Sequence, residues 1–283
     1  MNIYDPVSNF AAGNGVNLST FAIPEAALVQ NRRNLFHSTG PGYVIFRNFL
    51  DAGQVAHLRD LWSNVDPNFQ HVPFEGKHQI VAGCPNMSSA DDKGNCTFHN
   101  FLWNQPLDEL TWTIGWMVHG LRNRLSGRSF YAETLPGSGK VLNQRVVHTR
   151  NASTWIAPHR DYFYYDRRFE KNMYDFSRLQ ATLFLARKDE DYDGRGFVLE
   201  TNGGKTISFG TDVEISPGDL VIWRYNNLHS VEGIVSRPDQ IGFLRMLFPL
   251  ETLATGMVQN SAAKQPSILR RGAYALKKRL KIS

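Results

Sequence analysis

SPGDLVIWRYNNLHSVEGI, residues 216–234, packs a turn, a strand, a polar break and a histidine-led second strand into one short stretch. Ser216, Pro217, Gly218 and Asp219 are turn formers, each restricting or freeing the backbone in its own way. Leu220 to Trp223 is an apolar run of strand length, bounded by that turn and by Asn226-Asn227. His229 then opens the next apolar segment. The same texture fills the chain from about residue 140: VLNQRVVHTR, LQATLFLAR, GFVLET, KTISFG, DVEIS, HSVEGIV and IGFLRMLFP, punctuated by DYDGRG, TNGG and SRPDQ. Many short strands separated by turn signals read as a β-barrel or sandwich.

Upstream the signals are different. GYVIFRNF (42–49) reads as one strand. Asp51 with Gln54 three residues on is a capping box, and Val55, Leu58 and Trp62 follow at helical spacing. A polar loop region is expected over roughly 64–100. A second helix is expected over 106–125, with Pro106 in its first turn and Leu107, Leu110, Ile114, Met117 or Val118, Leu121 and Leu125 on one face. The expected fold is therefore mainly β with N-terminal helices, an α+β arrangement. A single domain spans 1–255, with a helical and loop half (1–139) and a barrel core (140–250). A tail follows at 256–283.

Bulk properties narrow the class. At 283 residues and 42% hydrophobic, the chain can bury a sizeable core. The N-terminus shows no basic stretch followed by an apolar one, and no apolar run approaches the roughly 20 residues of a membrane span. Cys84 and Cys96 match no zinc or redox spacing. The expectation is a cytoplasmic protein with reduced thiols. The chain has 31 basic and 26 acidic residues, but seven of the basic ones and none of the acidic ones lie after Glu251. The body up to that point carries about −2, which argues against a nucleic-acid-binding fold and confines any electrostatic partner to the tail.

Candidate chemistry starts at APHRDYFYYD (157–166). On an extended strand, residues i and i+2 share a face, so His159 and Asp161 point one way and Arg160 the other. They could be two ligands of a facial His/His/carboxylate iron site if a third arrives from elsewhere. His229, at the head of its strand, is the choice, and His148, in an earlier strand, is the competitor. His37, His57, His71, His78, His99 and His119 read as surface or satisfied core residues. His-Arg-Asp also occurs in the protein-kinase catalytic loop. That pattern needs Asn five residues after the Asp, where this chain has Asp166, and it needs Asp-Phe-Gly and a Gly-rich loop, which are missing.

Residues 140–250 resemble the iron(II)- and 2-oxoglutarate-dependent oxygenases, in particular the prolyl-hydroxylase-like and phytanoyl-CoA-hydroxylase-like branches. The matching pieces are His159-Arg160-Asp161, ATLFLARKDEDYDGRGFVLE, SPGDLVIW, His229-Ser-Val-Glu-Gly, and Arg245 in IGFLRMLFP; GPGYVIFRNFLDAGQVAHLRDLW is similar to the strand and helix preceding the barrel. The resemblance implies a double-stranded β-helix, or jelly-roll, with Fe(II) held by His159, Asp161 and His229 as the catalytic centre. It implies 2-oxoglutarate and O₂ as cosubstrates, with ascorbate as an aid in vitro, and succinate and CO₂ as products. It also implies a basic residue on the last core strand for the distal carboxylate of 2-oxoglutarate. Arg245 fits, mid-strand among apolar residues, whereas Arg237 lies in the SRPDQ turn. Thr182, on one strand face with Gln180, is a second candidate for the cosubstrate. Leu247 departs from the family, which often has a small polar residue there. The aromatic run from Tyr162 to Tyr165 reads equally as a wall over the substrate or as packing.

The activity implied is hydroxylation of a C–H bond in a small molecule, natural product or glycan. The alternative is a cupin-like barrel that binds metal or sugar without oxidising anything. In the tail, Leu269, Ala273, Leu276 and Leu280 mark one face of a basic amphipathic helix. Two readings stay open for it: docking on the barrel, or peripheral attachment to an anionic membrane leaflet or glycolipid.

Overall fold

Strand alternation and helix caps set the architecture. The computed structural model describes residues 25–66, 86–90, 95–102, 104, 106–129, 132, 140–150, 156–161, 164–166 and 168–252. The tail at 256–283, Cys84, His71, His78, Tyr162 and Phe163 lie outside the described residues. In chain order the elements are α1 (Glu25–Phe36), β1 (Tyr43–Phe46), α2 (Ala52–Asn64), β2 (Met87–Ala90), β3 (Cys96–Phe101) and α3 (Glu109–Leu125). Then come β4 (Lys140–Thr149), β5 (Ile156–His159), β6 (Tyr164–Asp166), β7 (Lys171–Met173), β8 (Leu179–Phe184), β9 (Tyr192–Asp193) and β10 (Gly196–Glu200). The last are β11 (Thr206–Ser208), β12 (Leu220–Arg224), β13 (His229–Glu232), β14 (Val235–Ser236), β15 (Phe243–Leu247) and β16 (Leu250–Thr252).

An eight-stranded sheet runs β1-β12-β8-β15-β4-β3-β2, with β16 also on β4. A four-stranded sheet runs β11-β10-β13-β5, and β9/β14 and β6/β7 form two-stranded pairs. Every pairing is antiparallel. The molecule is mostly antiparallel β with a few helices, as its turn-punctuated apolar runs predict.

Register sorts the large sheet into two faces. Arg245 opposes Phe184 and Val147, and Leu247 opposes Thr182 and Arg145. Trp223 opposes Gln180 and Tyr43. These residues share the face turned to the small sheet, where Phe184 and Trp223 meet Phe197 of β10 at ring separations of 6.4 and 5.4 Å. Phe197 stacks on Phe209 at 5.4 Å, and Tyr43 meets Phe209 edge-on at 5.1 Å. The opposite face takes the helices. Trp62 of α2 packs on Phe98 at 4.7 Å, and Gln144 of β4 donates to the Thr111 carbonyl of α3 at 2.8 Å.

The helices start where their caps dictate. Asp51 accepts from the Gln54 backbone and Gln54 returns the bond, so α2 begins as expected and buries Val55, Leu58 and Trp62. The second helix starts at Glu109 and not at Pro106. Asp108 takes the Thr111 N–H at 2.7 Å and becomes the N-cap, leaving Pro106 and the exposed Leu107 outside. This helix is buried on most of its circumference, beyond the single face its leucines mark.

Three other expectations are corrected. The region 64–100 is not all loop, because β2 and β3 lie within it and β3 pairs along β4. Its polar residues hide the strand signal. DVEIS is no strand: Asp212 accepts from the Ser208 N–H at 2.8 Å, closing a tight turn, and Val213 keeps one isolated bridge to Phe209. HSVEGIV breaks at Gly233, whose φ of 55° turns the chain from β13, on β10 and β5, to β14, on β9. β5 is an edge strand, exposed at all four residues and carrying Pro158. Among the described residues, no helix is long and apolar enough to cross a membrane.

Candidate metal centre

β5 and β13 are neighbours in the small sheet, and His159 and His229 are direct partners across them. Their rings lie 4.2 Å apart. The strand ends at His159, so Asp161 sits two residues past it and not within it as the alternation predicts. Its carboxylate still comes round to the same side. Oδ1 is 3.9 Å from His159 Nε2 and Oδ2 is 3.8 Å from His229 Nε2. One ligand atom from each of the three falls within 4.8 Å of the others.

The backbone sets the imidazole tautomers. His159 Nδ1 lies 2.8 Å from the Ala157 carbonyl, and His229 Nδ1 lies 3.0 Å from that of Asn227. A carbonyl only accepts, so each Nδ1 carries a proton, which leaves Nε2, on the side of Asp161, as the ring atom that can bind a cation. Burial pushes the Asp161 carboxyl up to about 6, against the pull of His159 and Arg145. Burial also pushes His229 down to about 4, opposed by its bond to the Asn227 carbonyl and reinforced by the charges of His159, Arg245 and Arg160. Near neutral pH His229 is thus a neutral imidazole and Asp161 a carboxylate, the states in which these groups bind cations.

Arg245 lies on the inner face of β15, only 3% exposed. Its guanidinium carbon is 5.2 Å from the Phe243 ring centre and 5.8 Å from that of Phe197. Burial lowers it to about 10, with Tyr192 as the opposing influence. No carboxylate among the described residues pairs with it, and its Nε has no hydrogen-bond partner. Arg237 is already committed, donating from Nε and Nη2 to Asp193 at 3.1 and 2.8 Å. Thr182 is fully buried on the same face and accepts from the Trp223 indole at 3.3 Å. The Trp223 ring is 4.5 Å from His229, so Thr182 steadies the wall behind a ligand. Gln180, on the same strand face as Thr182, accepts from the Ala181 N–H and from Arg122, which reaches it from α3.

His148 is not brought to the cluster. It faces the opposite side of β4 from Arg145 and bonds through Nε2 to the Ile241 carbonyl, and burial lowers its pKa. The described His37, His57, His99 and His119 each bond elsewhere: to Thr39, Asp108, Asn143 and the Ala132 carbonyl. Nothing in the sequence signals that Trp223 and Phe197 stand beside His229 or Tyr192 near Arg245, because aromatic residues in strands read as core. Arg145 carried a usable signal, a charge between apolar strand residues, as Arg245 did.

No protein-family profile matches the chain, and no curated protein matches it. Among solved structures, the epimerase SnoN in complex with Fe3+, alpha ketoglutarate and nogalamycin RO is similar at 15% identity and a TM-score of 0.48, covering 86% of this chain and 92% of its own. A Pseudomonas putida prolyl-4-hydroxylase is similar at 17% identity and a TM-score of 0.47, covering 79% and 98%. A 2OG-Fe(II) oxygenase family oxidoreductase from Burkholderia pseudomallei is similar at 11% identity and a TM-score of 0.45, covering 80% and 90%. With every TM-score below one half, they stand as resemblances, and the chemistry of the site rests on its own atoms.

Proposed function

We propose that this protein is an Fe(II)- and 2-oxoglutarate-dependent oxygenase that hydroxylates a C–H bond of a small molecule. The observation that carries this is a buried guanidinium, Arg245, without a carboxylate partner among the described residues, on the wall beside a His/Asp/His cluster. An unpaired buried cation is costly unless a ligand completes it. A metal-binding barrel of the cupin kind has no use for it.

The donor set fits Fe(II). Two imidazole nitrogens and one carboxylate on one side suit a divalent iron with open positions. His159, Asp161 and His229 would hold the ion, Arg245 would grip the distal carboxylate of 2-oxoglutarate, and Thr182 would support the cosubstrate wall through Trp223. Bound iron supplies the redox chemistry that couples decarboxylation of the cosubstrate to oxidation of a C–H bond. The chain's own work is to orient the three ligand side chains and the cosubstrate and to exclude water with Phe197, Trp223 and Phe243. The two facing antiparallel sheets support a double-stranded β-helix for residues 140–250. Asp161 completes the ligand set, which favours hydroxylation over a halogenase, where Gly or Ala stands at that position.

The test is anaerobic titration of the Fe(II)-loaded protein with 2-oxoglutarate, followed by succinate release in air with ascorbate. A visible Fe(II)-to-cosubstrate charge-transfer band, lost in His229→Ala and shifted to higher cosubstrate in Arg245→Ala, is expected. Metal binding with neither band nor succinate would leave a non-oxidising barrel.

A further inference from the structure

We propose that Arg160 is a positioning residue, tying the chain segment of His159 and Asp161 to the turn that carries His229. The proposal rests on the metal-centre reading above. Arg160 lies between the two ligands in sequence and faces away from them. Its Nη1 donates to the Asn226 carbonyl at 2.9 Å, and its Nη2 donates to Glu200 Oε1 at 2.8 Å. Asn226 lies in the turn that leads into His229, and Glu200 ends β10, the strand paired with β13.

Glu200 is fastened to that turn at two further points. Its N–H donates to the Leu228 carbonyl at 2.8 Å, and its own carbonyl accepts from Asn227 Nδ2 at 2.9 Å. Asn227 in turn supplies the carbonyl that holds His229 Nδ1. Residue 199, next in the strand, is the register partner of His229. One planar guanidinium therefore spans the only sequence gap in the cluster, the stretch between residue 161 and residue 229. The fork geometry of Arg suits two acceptors held at a fixed angle.

The pair is half exposed, with side-chain exposures of 44% and 29%. Exposed ion pairs contribute little to stability. Removing Arg160 should therefore leave folding nearly intact and instead loosen the spacing of the ligand atoms. That separates positioning from a merely structural role.

The test uses the full chain and Co(II) alone, read by calorimetric affinity and by the d–d absorption spectrum. Arg160→Ala should weaken Co(II) by about 10- to 100-fold, as loss of groups that orient ligands does, and should alter the d–d bands with melting temperature unchanged. Arg160→Lys should recover part of the affinity, since an ammonium reaches only one acceptor well. Arg195→Ala breaks a comparable exposed pair with Glu232 in the same sheet and should behave as wild type. Should Arg160→Ala fold poorly, Glu200→Ala keeps the backbone bonds, removes one of the two acceptors and should show part of the loss. Wild-type affinity and spectrum in these variants, or an equal loss in Arg195→Ala, would overturn the proposal. Absence of any His229-dependent Co(II) binding in wild type would overturn the metal-centre reading itself.

Discussion

At the scale of single residues, burial decides the protonation of Asp161 and the demand made by Arg245. The Asp161 carboxyl, raised from an ordinary value of 3.8 to about 6, holds its proton more tightly folded than unfolded. It therefore favours the metal-free fold at low pH, and that favour is lost as pH rises from the unfolded value through about 6. Asp161→Asn should raise the stability of metal-free protein above pH 6, by at most about 2–3 kcal/mol, while abolishing divalent-ion binding. Denaturant melts at pH 5 and pH 8 check the sign. Cation affinity of the wild type should fall as pH drops below about 6, because the ion must displace that proton. Arg245→Met should leave metal-free stability unchanged or higher, since a desolvated cation is removed. The same change should weaken 2-oxoglutarate by roughly 30- to 150-fold, the equivalent of about 2–3 kcal/mol for a charge-assisted bond. A binding titration that shows no loss would reassign Arg245 to the core. These residues were legible in the sequence because charges and imidazoles stand out in apolar strands. Tyr192 and Trp223 were not, since an aromatic that walls a site and one that fills a core have the same sequence signature.

At the scale of elements, caps and glycines set where things begin and end. Asp51 with Gln54 was readable because both halves of a capping box are local. The start of α3 was misjudged because Pro106 and Asp108 compete for one terminus, and a bonded carboxylate outweighs a permissive proline. The division of HSVEGIV into β13 and β14 could not be read, since Gly233 bends for the sake of a distant partner. That partner is visible at Gly194: a Cβ there would lie 1.3 Å from the Gly233 carbonyl oxygen, at a φ of +111°. Gly194→Ala should therefore be far more damaging than Gly204→Ala, which meets nothing within 4 Å and is strained only by its φ of +80°. Gly204→Ala should cost about 1–2 kcal/mol. Equal losses for the two in urea melts would mean that the Gly194 and Gly233 turns can shift apart freely.

At the scale of the whole molecule, two sheets close on a shared aromatic centre. Phe197 touches the rings of Phe184, Phe209 and Trp223, lies 6.3 Å from His229, and sits under the Arg245 guanidinium. Phe197→Ala should cost about 3–5 kcal/mol and should also weaken cosubstrate binding, as the wall between ligand and clamp is lost. A destabilised variant with unaltered 2-oxoglutarate affinity would separate core from site. The small sheet has a consequence of another kind, in β5. A bare strand edge invites another chain to add to it, the first step of aggregation. Here the edge is the lip of the candidate metal cluster, and its four residues are exposed in the structure. Pro158 offers no N–H to an incoming strand, and the chain leaves the sheet directly after His159. The short proline-bearing edge thus keeps the centre accessible while offering an incoming strand little to pair with.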